Sequence, residues 1–79
     1  MALIKISKLK KLDKIRNSVH KEVIGTYTVF THRDTKYFQI DTYGSEDREM
    51  PEKISQSIQF DFETAKFIIE ILKKEMNIE

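Results

Sequence analysis

Arginine, lysine and tyrosine are the residues of this chain whose types and spacing could do chemistry, and that chemistry is recognition of a polyanion. Segment 44–51, GSEDREMP, runs from Gly44, which tolerates a positive φ, to Pro51, which fixes the re-entry of the chain. A loop of this kind can hold Arg48 and Lys53 near one another. Arg48 offers a planar fork for phosphate and Lys53 a compact point charge. Tyr37 and Tyr43 precede them, and rings beside cations suit a single strand, whose bases stack while its backbone follows positive charge. Arg33 and Lys36, in the polar stretch 32–36, add two more cations. Glu46, Asp47, Glu49 and Glu52 share the same region, so surface pairing of these acids with Arg48 and Lys53 is the competing reading.

Other chemistries find less to work with. His20 and His32 are the only histidines, there is no cysteine, and neither histidine has a second ligand at metal-binding spacing. Asp41, Glu52 and Lys53 could be assembled into a nuclease-like carboxylate and lysine set, yet a chain of 79 residues has little concave volume to enclose a substrate. No glycine-rich phosphate loop, nucleophile elbow or dinucleotide fingerprint is present. The residues therefore predict a non-catalytic protein without metal or cofactor.

Charge is segregated along the chain. Residues 1–21 carry seven cations against Asp13 alone, a balance of +6, and residues 22–79 carry seven cations against twelve acids, a balance of −5, which together give the net charge of +1. A basic N-terminal arm, with Lys10 and Lys14 among its candidate contacts, sits on a mildly acidic body, an arrangement that attracts phosphate backbones or an acidic partner. The length bounds the chain to a single domain over residues 1–79, and a small core without staples leans on oligomerisation. No apolar run approaches a membrane span or a signal-peptide core, which predicts a soluble, cytoplasmic protein with no membrane partner.

These residues must be positioned by a few short elements. Leu9, Leu12, Ile15 and Val19 recur at helical spacing between lysines, and Ser7 is a candidate N-cap, so the pattern predicts a helix over 8–20. Residues 3–6 are too short to assign, with extended backbone one option for them. Stretches 23–31 and 37–43 are rich in β-branched and aromatic residues, and 53–60 alternates apolar and polar, which predicts three antiparallel strands with a turn in 32–36. Phe38, Ile40, Ile54, Ile58 and Phe60 would face the core, leaving Tyr37, Gln39, Asp41, Tyr43, Ser55, Ser57 and Gln59 on the outer face. Asp61 is placed to cap a last helix over 62–76, with Glu63 in its first turn and Lys73 and Lys74 near its end. The apolar positions of that helix wrap beyond the stripe one sheet can cover, and one flank is left wanting a partner. The expected fold is α+β: an N-terminal helix, a three-stranded antiparallel meander, and a C-terminal helix packed on one face of the sheet.

Residues 27–72, 46 of the 79, resemble the transcriptional positive-cofactor fold of single-stranded-DNA-binding proteins. The likeness lies in the strand KYFQIDTY (36–43), the acidic-then-basic segment after it, the lysine-led strand KISQSIQF (53–60) and the acidic turn DFETA (61–65). Gln56-Ser57 stands where that family places a lysine-glycine step, and the basic N-terminal arm is additional. The resemblance implies a homodimer paired through the C-terminal helix, with curved sheets gripping single-stranded DNA. It also implies Arg33, Lys36, Arg48 and Lys53 as backbone contacts and Tyr37 and Tyr43 as stacking residues. A three-stranded sheet backed by one helix is similar as well to the arm-binding domains of phage-type integrases, which lay the sheet in a duplex groove. The expectation is a DNA-binding protein of transcription, replication or repair. The alternative from another class is a protein-interaction module, an inhibitor or adaptor in a phage or host-defence setting, docking through its polar sheet face or basic arm.

Overall fold

The computed structural model describes residues 1–13, 16–44 and 53–79. Its elements are β1 (Ala2–Ile4), β2 (Gly25–His32), β3 (Thr35–Tyr43), β4 (Ile54–Asp61) and α1 (Phe62–Glu75), with one 3-10 turn at Ile6–Lys8 after β1. They form a four-stranded mixed sheet in the order β1-β4-β3-β2, with β1 parallel to β4 and the other pairs antiparallel. The helix packs on β3, β4 and the 3-10 turn.

This architecture corrects the expected N-terminal helix on a three-stranded meander. Among the described residues of 8–20 there is only the end of the 3-10 turn, and 9–13 and 16–24 have no regular structure. An isolated helix of this length is marginal unless a surface receives its apolar stripe. Here little of it is received: Leu9 is half-buried beside the 3-10 turn, Leu12 and Val19 are exposed, Val19 almost wholly, and Ile15 lies outside the described residues. The 3-10 turn, closed by Lys8 N–H donating to the Lys5 carbonyl at 2.8 Å, ends where the helix would have begun. The unassigned residues before it instead add a fourth strand, pairing Ala2, Leu3 and Ile4 with Ile58, Gln59 and Phe60 and satisfying the outer edge of β4.

The hairpin between β2 and β3 turns in two residues, Arg33 and Asp34, both at positive φ (49° and 65°). That is the backbone of a type I′ turn, whose twist matches the flanking strands. Register across it pairs Val29 with Phe38 and Tyr27 with Ile40 on one face, and Phe30 with Tyr37 and Thr28 with Gln39 on the other. Across β3 and β4, Phe38 meets Phe60 and Ile40 meets Ile58, and a register shift at Thr42/Tyr43 brings Ile54 opposite Tyr43.

The helix starts where its sequence says it should. Asp61 is the N-cap, its Oδ1 accepting from Thr64 N–H at 3.0 Å and from Thr64 Oγ1 at 2.6 Å. The hydroxyl of Thr64, then its amide and more weakly Lys5, hold the Asp61 carboxyl below the ordinary value of 3.8. Glu63 occupies the first turn and Lys73 and Lys74 the last, each sign suited to the helix dipole. Lys66 Nζ stands 5.4 Å from the Phe62 ring centroid, one helical turn away.

The described residues form no fully buried apolar core. Among the described residues no hydrophobic side chain is buried, and the only buried residues are Asp41, 6% exposed, and Thr64, 0% exposed. The sheet and helix are in contact, yet Phe62, Phe67, Ile69 and Leu72 of α1 and Tyr27 and Val29 of β2 remain open to solvent.

Candidate functional site

The face of the sheet opposite α1 is built by alternation. Strand β3 projects Phe38 and Ile40 towards the helix, so Tyr37, Gln39, Asp41 and Tyr43 project away from it, and register adds Thr26, Thr28 and Phe30 from β2 and Ser57 and Gln59 from β4. A directed hydrogen-bond chain crosses this face. Gln59 Nε2 donates to Gln39 Oε1 at 2.8 Å, and Gln39 Nε2 donates to both Asp41 oxygens, at 2.9 and 3.1 Å. Ser57 Oγ donates to Asp41 Oδ1 from the other side. The carboxylate is thereby satisfied while nearly buried, and both glutamine amides are held in one orientation. Leu3 of β1 borders the chain, forming with Gln39, Ser57 and Gln59 part of a shallow cleft that is polar on one side and apolar on the other.

Rings mark the two ends. Tyr37 stacks on Phe30 with centroids 5.4 Å apart and planes 20° from parallel, next to the Arg33–Asp34 turn. Tyr43 lies six residues along the same strand, about 20 Å away at the strand rise, with its hydroxyl 3.1 Å from Thr26 Oγ1. Lys53 directly precedes β4, whose first residue pairs with Tyr43, so Lys53 and Tyr43 share one end of the sheet, and Arg33 and Tyr37 share the other. Asp41 between them repels phosphate, so a strand of nucleic acid crossing this face would turn its bases to the sheet and its backbone to the rim, where the cations stand.

The remaining expected residues are not gathered here. Lys36 pairs with Thr31 on the helix-side face, away from Tyr37. Lys10 is exposed in the segment without regular structure, whose neighbour Lys11 makes a surface ion pair with Glu75 at 3.5 Å. Arg48 and Lys14, and with them the loop meant to join Arg48 to Lys53, lie outside the described residues. Sequence reasoning missed Phe30 as the partner of Tyr37. The signal was available: a two-residue turn at 33–34 makes the positions of every β2–β3 pair sum to the same value, and Phe30 then falls opposite Tyr37.

Among the described residues no group of three or more histidine, cysteine, aspartate or glutamate side chains could hold a metal ion, and no helix is long and apolar enough to cross a membrane. Compared with known proteins, the chain matches no family model, no curated protein and no solved structure.

Proposed function

We propose that this protein binds single-stranded nucleic acid, DNA in the first instance, without catalysis and as a homodimer. The observation that carries the reading is the outer sheet face: a stacked Phe30–Tyr37 platform and Tyr43 at opposite ends of an oriented amide and hydroxyl chain, with Arg33 and Lys53 at the two rims. Rings stack any base, the glutamine amides oriented by buried Asp41 contact base edges, and rim cations take the backbone. The positive-cofactor resemblance of residues 27–72 supports the same reading.

Fluorescence anisotropy with labelled single-stranded DNA, duplex DNA and RNA, followed by a salt titration of the tightest, tests it. Preference for a single strand with a steep negative salt slope is the expected result. The net charge of +1 and the exposed apolar side chains favour the rival, a protein-interaction module. Absence of binding to all three nucleic acids at low salt and tens of micromolar protein retires the nucleic-acid reading in favour of that rival.

A further inference from the structure

The free edge of β2 is unusual for a small protein. All eight of its residues are exposed, and from Gly25 to Thr31 it carries no charge, no proline and no register shift against β3. These are the devices that keep a strand edge from pairing with another chain. The opposite edge, β1, is only three residues long and runs at once into Lys5 and the 3-10 turn.

The ladder says which backbone groups are free. Tyr43 N–H donates to the Ile24 carbonyl at 2.9 Å, so Ile24 and Tyr43 are a hydrogen-bonded pair. Alternation then turns the N–H and C=O groups of Thr26, Thr28 and Phe30 towards β3, and those of Gly25, Tyr27, Val29 and Thr31 outward. A second copy of β2, antiparallel and related by a two-fold axis at Thr28, would pair Tyr27 with Val29 and Gly25 with Thr31 in both directions. Every outward group would find its complement, and no charged residue would meet its own copy. Tyr27 and Val29, 72% and 56% exposed, would become an aromatic and β-branched cross-strand pair on the helix side.

The surface of one chain calls for such a partner. Its accessible area is 7461 Å², against roughly 5,000 Å² for a folded monomer of this mass. The extended N-terminal segment and the unshielded strand and helix faces both contribute to the difference. The excess is larger than the roughly 800 Å² that each partner contributes to a stable interface.

We infer that two copies join edge to edge through β2, antiparallel about Thr28, into one continuous eight-stranded sheet. This interface does not depend on the nucleic-acid reading. It places both α1 helices on the same side of the joined sheet and both outer faces on the other.

Thr28 is exposed, lies on the outer face, and stands opposite its own copy only in this register. Three measurements follow from that. Light scattering on the full chain should give twice the 9.4 kDa chain mass. Thr28→Cys supplies the only thiol, at a non-hydrogen-bonded pair with Cα atoms about 4.5 Å apart, and should oxidise to a covalent dimer. Thr28→Lys and Thr28→Glu should each weaken self-association, by about fivefold, through like charges placed directly opposite, and an equimolar mixture should recover it as a heterodimer. Circular dichroism of each variant establishes that it is folded. A wild-type mass of one chain throughout the micromolar range overturns the inference. So does a dimer in which the thiol variant fails to crosslink and the charge variants associate as the wild type does, the outcome expected if pairing runs through α1.

Discussion

At the scale of single residues, five positions separate stability from binding. Asp61 caps α1 with a carboxylate held below its ordinary pKa of 3.8. A depressed folded-state pKa means that the folded chain favours the ionised form, so the contribution is full above the unfolded value and is lost as pH falls through the folded one. Unfolding followed from neutral pH to strong acid should show stability declining below about pH 4, and Asp61→Asn, which keeps a cap acceptor but cannot titrate, should flatten that decline. Asp61→Ala removes the cap and should cost about 1 kcal/mol in urea denaturation at neutral pH. At the hairpin, Arg33 and Asp34 hold left-handed backbone that asparagine and glycine adopt with less strain. Arg33→Asn with Asp34→Gly should therefore raise stability by about 1 kcal/mol in the same assay. Binding divides along other lines. Tyr37→Ala should weaken single-strand affinity with the salt slope unchanged, because it removes stacking. Lys53→Ala should reduce that slope by about 0.7 for one lost phosphate contact. Anisotropy against salt reads both, and a Tyr37→Ala variant that binds as tightly as the wild type would remove the ring platform from the mechanism.

Elements show where local sequence decides structure and where it does not. Strands β2, β3 and β4 and helix α1 begin and end within about two residues of where alternation, β-branching and the Asp61 cap place them, because each of those signals acts through its own neighbours. The outer face was legible for the same reason up to Thr42: a period of two sends Gln39 and Asp41 one way and Phe38 and Ile40 the other, but past the register shift Ile54, expected to face the core, pairs with Tyr43 on the outer face. Two features were not. Ala2–Ile4 is too short to carry a pattern and becomes a strand only because β4 offers it an edge. The stripe of Leu9, Leu12 and Val19 has helical spacing, but only Leu9 is half-buried, and spacing alone does not supply the burial that stabilises a helix in water. The site was half legible, since residue types pointed to Tyr37 and Tyr43 while the Phe30 stack and the Gln59–Gln39–Asp41 chain depend on register. The corrected N-terminal segment makes a direct prediction. Leu12→Ser and Val19→Ser should each change stability by less than about 0.5 kcal/mol, whereas a docked helix would lose 2 kcal/mol or more at a buried leucine. Urea denaturation of the two variants against the wild type distinguishes the cases.

For the molecule as a whole, the absence of a buried hydrophobic side chain among the described residues sets the terms of its stability. The radius of gyration is 14.8 Å, against about 12 Å for a compact chain of this length. A sheet covered on one side by a single helix leaves Tyr27, Val29, Phe67, Ile69 and Leu72 in water, and the β2 pairing inferred above would take Tyr27 and Val29 out of it. With that pairing, folding and association become one equilibrium, whose midpoint would depend on protein concentration. Each tenfold increase in concentration stabilises the folded dimer by about 1.4 kcal/mol. For an assembly of this size that raises the thermal midpoint by about 3–6 °C. Calorimetry across two decades of concentration should find that rise in the wild type and, for a Thr28→Lys variant, a lower midpoint at every concentration. If the midpoint stays fixed over the whole range, the single chain is stable with its apolar surface exposed. The joined sheet would also set two outer faces side by side with opposed strand directions, so two single strands would be held antiparallel. The proposed nucleic-acid face and the inferred β2 interface are thus coupled, because the same edge would set the spacing and direction of the two faces.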